Sequence, residues 1–312
     1  MKKYIYLIFA ILCFAAFNAS ASSVQPFVDL LAWRAYESNA SWATILSFPS
    51  NTTNFTPNYI NFNTRLGMKA GLMYSPENNF WDSKLYWTYF PTNTSSSIPV
   101  AAHVVTPIFF SGSTLISGDA YLGGSVNWDL TMNMIDLEIS HGFKPLPSFT
   151  LTPKIGIKGG SINQNINANW NAVILVATEN VTNDFTGMGP SFGLDGKWNF
   201  YGDFSVVGDI SSAVMYGRWN VKDTYKRPAA LLGIIPAQTI VTSMNQSKLG
   251  TFMMDYYFGL QWIHQNKSRV TVQLGYEMQY WANQLRIVTI NQLPTFGDLT
   301  IEGATCGISI DL

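Results

Sequence analysis

The sequence predicts an all-β protein: a transmembrane, antiparallel, up-and-down β-barrel of about ten strands that follows a cleaved signal peptide. Three observations support this prediction. The N-terminus carries an export segment, apolar residues alternate with polar ones over unusually long stretches, and the connections between those stretches alternate between short and long.

The N-terminus has the three parts of a secretory signal peptide. Lys2 and Lys3 provide a positive region, residues 4–17 are an apolar run, and Ala19, Ser20 and Ala21 form a small-residue site for cleavage after Ala21. The run is shorter than the roughly 20 residues that a spanning helix needs. We therefore expect residues 1–21 to be removed and residues 22–312 to form the barrel.

The composition limits the remaining classes of function. The 312-residue chain has 18 Lys+Arg and 19 Asp+Glu, a net charge of −1, and only 12% charged residues. This is about half the charged share of a typical soluble domain, and the near-neutral balance argues against nucleic-acid binding. Apolar residues at 47% argue against disorder. Cleavage of the signal peptide leaves Cys306 without an intramolecular disulfide partner.

The alternation has a period of two and is most regular between Ile60 and Tyr74. Its even positions are apolar almost throughout, while its odd positions are polar residues, glycines and one methionine. The same pattern occurs around 149–160, 188–198, 252–262 and 270–280. A strand with two such different faces lies between an apolar environment on one side and a polar environment on the other. The stretches exceed the roughly 9–11 residues that a tilted strand needs to span a bilayer.

The connections decide the predicted topology. The ten predicted strands lie near 26–36, 58–74, 81–90, 120–140, 148–160, 185–198, 204–219, 251–263, 269–283 and 298–312. The links after every second strand are short, and the five others are long, at 37–57, 91–119, 161–184, 220–250 and 284–297. Short turns on one side and long loops on the other are typical of outer-membrane barrels.

Two features leave the strand count open. The apolar parity changes between 133 and 135, which indicates either a β-bulge or a hidden turn. Apolar runs in the long loops, at 108–110, 172–177 and 229–235, could each add a hairpin. Twelve strands and eight strands are therefore alternatives to ten.

A secreted β-sandwich would alternate in the same way, but its apolar face would point inward. The positions of the aromatic residues favour the membrane barrel, since they form two girdles at the ends of the strands. The predicted girdle residues are Tyr74, Trp81, Trp198 and Trp262 at the short-turn end, and Tyr216 and Tyr280 at the other.

Several segments, taken in order, resemble the Legionella-type major outer membrane protein family. They are DLLAWRA at 29–35, NMIDLEI at 133–139, GMGP at 187–190 followed by FGL at 192–194, and GDLTIEG at 297–303. The resemblance runs from the first predicted strand to the last. It implies a pore-forming outer-membrane barrel with no enzyme site and no cofactor. The chain departs from the usual barrel ending, because its last residue is Leu312 and not an aromatic residue.

Candidate catalytic residues are few. His103 lies in a long loop, whereas His141 and His264 lie in short turns at the opposite end, so they cannot share a metal ion. A protease at the rim would need His103 to converge with Asp119, Glu179 or Asp184, and we expect solvated loop charges instead. No Gly-x-Ser-x-Gly motif is present. The sequence thus predicts no enzyme, no metal and no cofactor.

If the apolar face contacts lipid, six residues of each charge sign face the lumen. They are Arg65, Lys69, Lys84, Lys154, Lys158 and Lys197, with Asp82, Asp129, Asp195, Asp209, Asp255 and Glu277. This balance predicts weak ion selectivity in an open pore. In a narrow barrel the same charges would pair into a plug. On this assignment, charge at Leu66 or Leu274 should impair insertion more than charge at Gly67 or Gly275.

The predicted function is passive diffusion of small hydrophilic solutes through a porin-like barrel in the bacterial outer membrane. The alternative is a closed barrel that serves as a surface adhesin or structural protein through its long loops. The expected partners are outer-membrane lipid and small solutes but no nucleic acid. A homo-oligomer, and host or environmental ligands of the loops, are further alternatives that the sequence leaves open.

Overall fold

The structure is a computed structural model that describes residues 23–49, 52–76, 81–108, 121–229, 236–265, 268–288 and 294–311. The predicted signal peptide lies outside these residues. The strands are β1 Ser23–Glu37, β2 Ser41–Ser47, β3 Asn54–Tyr59, β4 Arg65–Ser75, β5 Asp82–Ile98, β6 Val104–Pro107, β7 Tyr121–Ser140, β8 Phe143–Leu146, β9 Phe149–Ala172, β10 Val176–Tyr201, β11 Phe204–Arg227, β12 Gln238–Gln265, β13 Arg269–Val288 and β14 Pro294–Asp311. Among the described residues, no helix is long and apolar enough to cross a membrane.

Ten of these strands form a closed antiparallel ring, in the order β1-β4-β5-β7-β9-β10-β11-β12-β13-β14. The ring closes where β14 pairs with β1, for example Thr305 with Leu31. The predicted ten-strand barrel is therefore confirmed. The short connections gather at one end, and we call the adjoining part of the barrel the turn half. The part next to the long connections is the loop half.

The strands continue far into the predicted long loops. β10 has 26 residues and β12 has 28. At about 3.3 Å per residue, β10 is about 85 Å long, more than twice the length needed to cross the ~25 Å apolar band even when tilted. The predicted loop 161–184 is almost entirely strand, since β9 and β10 pair from Asn171–Val176 down to Phe149–Trp198. The loop half is thus a continuation of the barrel wall.

A small sheet adds to the wall of the loop half. β2 pairs with β3 and with β6, and β6 contacts β7 through Val105 and Tyr121. Trp42 of β2 stacks on Trp170 of β9, with ring centroids 5.4 Å apart. From the described part of the connection between β1 and β4, Trp42 and Phe62 therefore enter the apolar core, while β3 stays exposed.

The change of apolar parity in the sequence falls within β7, and β7 contains no bulge at this point. Its register with β9 is regular from Gly123 to Ser140, and its register with β5 has no shift. Even-numbered residues are buried along its whole length, from Val126 to Glu138. The backbone therefore keeps its period, and the character of the interior changes from apolar to polar between Met134 and Asp136.

The interior of the loop half is an apolar core. Its ten largest fully buried side chains are Trp33, Trp42, Trp128, Trp170, Trp219, Trp281, Tyr121, Tyr225, Phe62 and Phe90. Phe62 meets Trp128 edge-on at 5.7 Å, and Phe185 lies 4.7 Å from Trp219. These side chains pack against one another inside the barrel.

A segment of β13 turns into this core. Asn283 has a φ of 53°, and the register of β13 with β14 shifts between Trp281 and Leu285. The turned chain places the Gln284 carbonyl inside the barrel, where Trp219 Nε1 donates to it at 3.3 Å and Asn183 Nδ2 at 3.2 Å. We call residues 283–287 the strap, because they tie β13 to β10 and β11 inside the barrel.

Candidate functional site: a barrel interior in two halves

The turn half has the polar interior that the sequence predicts. Lys69 Nζ lies 2.8 Å from Glu277 Oε1, and Lys158 Nζ lies 2.6 Å from Asp136 Oδ1. Thr305 donates to the second oxygen of Glu277 at 3.3 Å. Glu277, Lys158 and Asp136 are almost fully buried. Such buried charges require partners, and these pairs supply them.

Lys154 is the centre of a second network. Its Nζ lies 2.9 Å from Asp195 Oδ1 and 3.7 Å from Glu138 Oε2, and it also donates to Asp209. Tyr86 donates to Glu138 at 2.9 Å. One lysine thus forms ion pairs with carboxylates from three other strands.

The structure places nine of the twelve predicted lumen residues on the inner face of the turn half. They are Lys69, Lys84, Lys154, Lys158, Asp195, Lys197, Asp209, Asp255 and Glu277. Of the other three, Asp82 begins β5 at the turn end and shares the inward parity of Lys84. Arg65 is exposed and donates to Asn93 at 2.8 Å. Asp129 follows the buried Trp128 and lies on the outer face of the loop half.

Three acidic residues of this interior were missed, namely Asp29, Asp136 and Glu138. A signal for Asp136 and Glu138 is present in the sequence, because they share the even parity of the apolar residues that precede them on β7. This signal can be recognised only if apolar residues are allowed to face the barrel interior as well as the lipid.

A polar cavity of about 260 Å³ lies within the turn half. Its walls include Asp29, Lys84, Asp255, Gln261 and Gln273. At its inner end, Lys69 Nζ lies 5.9 Å from the centroid of the Trp33 ring, and the Trp33 indole donates to Thr305 at 3.1 Å. The polar cavity therefore ends where the apolar core begins.

The loop half buries several carboxyl groups, among them Glu37, Glu179 and Asp223. Burial raises the pKa of Glu37 to about 8. The negative charge of the nearby Asp298 also raises this pKa, whereas a hydrogen bond from Gln164 lowers it. Burial also raises the pKa values of Glu179 and Asp223, and the repulsion between the two carboxylates adds to the effect on Glu179. Trp170 Nε1 donates to Glu179 at 2.7 Å. These groups favour the neutral form.

The predicted girdle residues lie on the outer surface. Tyr74, Trp81, Trp198 and Trp262 are exposed at the turn end of the barrel, and Tyr216 is exposed at the upper edge of the apolar band. Tyr280 is partly buried, and its hydroxyl donates to Asp298 at 2.8 Å. Between these levels, the outer face carries exposed Leu, Ile and Phe side chains such as Leu137, Ile157 and Phe258.

The candidate rim protease residues do not converge among the described residues. Glu179 is buried in the core, whereas Asp184 is exposed on the opposite face of β10. His103 lies beside β6, and Asp119 lies outside the described residues. No group of three metal-binding side chains occurs in the part of the chain that the structure describes.

An apolar outer band between aromatic residues, a polar interior and a closed ten-strand ring together define an outer-membrane β-barrel protein. The family model of the Legionella pneumophila major outer membrane protein precursor matches residues 21–312, and the chain belongs to this family. The predicted family and the outer-membrane localisation are thereby confirmed. The turn half is then periplasmic and the loop half extracellular.

The outer membrane protease OmpT from Escherichia coli has a similar fold. It is 9% identical, with a TM-score of 0.53, and the match covers 95% of this chain and 99% of OmpT. At this identity the likeness concerns the fold alone, and the absence of an enzyme site stays a prediction. No curated protein matches the chain significantly.

Two further solved structures match at low scores. A FadL homologue of Pseudomonas aeruginosa is 8% identical, with a TM-score of 0.28 and coverage of 95% and 93%. The toluene transporter TodX of Pseudomonas putida is 10% identical, with a TM-score of 0.30 and coverage of 95% and 90%. Scores of this size do not establish a shared architecture.

Proposed function

We propose that this chain is a closed outer-membrane barrel that acts at the cell surface, as a structural or adhesive protein, through its extracellular loop half. The observation that carries the proposal is the apolar core of that half. Six tryptophans of the described chain lie inside it with less than 2% of their surface exposed. A hydrated solute would have to displace these rings, and the loss of buried aromatic contacts makes such a path costly.

The outer face of the loop half supports a surface role. Four asparagines, Asn163, Asn165, Asn167 and Asn169, alternate along β9 on the face opposite the core. Asn180 on β10 donates to Asn165 at 2.9 Å and to Asn167 at 2.6 Å. These carboxamides form an uncharged surface with many hydrogen-bonding groups, held rigidly by the barrel wall.

Conductance tests the closed state. We expect the refolded protein in a planar bilayer to give no reproducible current steps, while a gel shift between heated and unheated samples shows that the barrel is folded. Reproducible steps from the folded protein would contradict closure. Attachment of cells that display the protein separates the two surface roles: Asn165→Asp with Asn167→Asp should reduce attachment if the role is adhesive and leave it unchanged if the role is structural.

Passive diffusion of small hydrophilic solutes with weak ion selectivity is the second candidate. The polar cavity of about 260 Å³ in the turn half favours it, because its walls resemble the lining of a pore. Conduction would require a path through or around the apolar core. Swelling of liposomes in small sugars, at the rate expected for an open pore, would support this candidate over the closed barrel.

A further inference from the structure

The outer face of the loop half carries a regular set of uncharged polar side chains. Strands β5, β7, β9 and β10 lie side by side there, and their registers align the outward residues in rows. One row consists of Ser95, Asn127, Asn167 and Asn180. The next row, further from the membrane, consists of Ser97, Ser125, Asn169 and Thr178. We call these eight residues the polar array.

The sheet fixes the spacing of the polar array. Neighbours within a row are about 4.8 Å apart, and the two rows are about 6.6 Å apart along the strands. A groove of about 350 Å³ lies over this part of the wall, lined by Ser95–Ser97, Ser125, Asn127, Asn167 and Asn169. The short serine side chains leave this space beside the longer asparagines. An extended chain with repeated hydrogen-bonding groups would fit both the groove and the rows.

The carboxamides of the polar array are held in place by one another. Asn180 Nδ2 donates to Asn165 Oδ1 at 2.9 Å and to Asn167 Oδ1 at 2.6 Å. These bonds use the oxygen atoms of both acceptors, so the Asn167 amide group can still donate to a ligand. Serine hydroxyl groups both donate and accept. The polar array thus presents ordered donors and acceptors without a charge, and binding requires little further ordering of side chains.

The height of the polar array above the membrane limits what can reach it. Met188 and its partner Tyr216 are exposed at the upper edge of the apolar band. Asn180 lies eight residues from Met188 on β10, which is about 26 Å along the strand. With the usual tilt of about 35–45°, Asn180 is about 20 Å above the apolar band. Lipid head groups occupy only about 5–8 Å on each side of the hydrocarbon, so the polar array lies beyond them.

We propose that the polar array binds the uncharged sugar chain of a glycolipid in the outer leaflet around the barrel. Sugar hydroxyl groups donate and accept hydrogen bonds, as the carboxamides and serines of the array do. The array faces sideways from the barrel wall, toward chains that rise from the same membrane. The inference rests on the surface role proposed for the loop half but not on a closed lumen, so the conductance experiment does not decide it.

The reaction of an introduced thiol with a maleimide tests this site on the folded protein in bilayers, with the exposed Cys306 replaced by serine. Ser97→Cys places the thiol in the polar array, and Ser243→Cys places it on the outer face of β12 as a matched control. One bilayer contains lipopolysaccharide with an uncharged O-chain, and the other contains the same lipid truncated to its core sugars. We expect the full chain to slow the reaction about fivefold or more at Ser97→Cys and less than about twofold at Ser243→Cys.

Three outcomes would overturn the proposal. Equal slowing at both positions would show that the sugar chains only crowd the surface. Equal rates at Ser97→Cys in the two bilayers, both as fast as at the control, would show that the array stays free. Slow reaction at Ser97→Cys in both bilayers would show that a second copy of the protein, and not the sugar chain, covers the array.

Charge variants locate the contact. In the Ser97→Cys protein, Asn167→Asp with Asn169→Asp should remove most of the slowing, because an uncharged chain cannot neutralise two adjacent carboxylates. Asn220→Asp, on the exposed outer face of β11 outside the array, should leave the slowing unchanged. A lipopolysaccharide whose O-chain carries carboxylates should not slow the reaction at the unsubstituted array. Full slowing by the acidic chain, or with the double variant, would contradict the assigned ligand or site.

Discussion

Met134 and Asp136 point into the same barrel from successive inward positions of β7, and the boundary between the two halves of the interior passes between them. Asp136 pairs with Lys158 at 2.6 Å, whereas Met134 belongs to the apolar core. The outer face changes in the opposite sense, from exposed Ile135 to the polar Asn133. The barrel is therefore apolar outside and polar inside within the membrane, and the reverse above it.

The outer face of the turn half should reject charge much more strongly than its inner face. Leu274 is exposed to lipid on β13, and the adjacent Gln273 lines the polar cavity. We expect Leu274→Arg to cost about 2–4 kcal/mol of folding free energy relative to Gln273→Arg, since an arginine near mid-bilayer loses its hydration. Urea titration of folding into lipid vesicles measures the difference, and equal costs would contradict the assignment of faces.

Gly275 does not serve as the inner-face control that its parity suggests. A Cβ atom there would lie 2.5 Å from the Phe258 carbonyl oxygen and 2.7 Å from the Tyr257 ring. Gly67 is similarly close to the Tyr89 carbonyl oxygen, at 2.8 Å. Because of this crowding, neither glycine can accept a charged side chain as the sequence predicts. We expect any side chain at Gly67 or Gly275 to destabilise the barrel.

The tryptophan core should supply much of the stability of the loop half. Trp128 is fully buried, donates to Gln164 at 2.9 Å and packs on Phe62. We expect Trp128→Ala to reduce the free energy of unfolding by about 3–5 kcal/mol, through a cavity and a lost hydrogen bond. Asn127→Ala, at the neighbouring outward position, should change it by less than about 0.5 kcal/mol. Equal effects in denaturant unfolding would show that the core does not stabilise the barrel.

The ten-strand ring could be predicted because the lipid-facing half of each strand has an unbroken apolar alternation with short turns at one end. Leu66 to Tyr74 on β4 is an example. The lysines of the polar interior, such as Lys69 and Lys154, followed from the same parity. That part of the prediction needed only one rule, that apolar side chains face lipid.

The loop half could not be predicted by that rule, because its apolar residues face inward. On β9, Ile162 and Ile166 are buried while Asn163 and Asn165 lie on the outer face. This alternation is present in the sequence, but its many asparagines are typical of loops. Pairings such as Glu37 with Gln164, which are distant in the chain, could not be derived from local pattern at all.

The buried Glu37 should make the loop half sensitive to pH. Because burial raises its pKa from 4.5 to about 8, the folded state holds a proton that the unfolded state releases above its ordinary pKa. Stability should therefore fall as pH rises from about 4.5 towards 8, by at most about 1.4 kcal/mol per pH unit from this group. Glu37→Gln should remove this contribution and stabilise the protein at pH 8, but not at pH 4. Asp129→Asn should keep the wild-type profile in unfolding measured across this range.

The strap depends on the left-handed backbone of Asn283, whose φ is 53°. The Asn283 amide donates to Asp298 Oδ1 at 2.8 Å, and the turn brings the Arg286 guanidinium carbon to within 3.4 Å of the centroid of the Trp219 ring. A β-branched residue is strained in this conformation, whereas glycine is not. We expect Asn283→Val to destabilise the protein by about 1–2 kcal/mol and Asn283→Gly to have little effect. The Trp219 indole lies under Arg286 and donates to the Gln284 carbonyl of the strap, so the NMR resonance of its Nε1–H group provides a local readout. If valine and glycine give the same spectrum and the same unfolding midpoint, the strap does not need the left-handed turn.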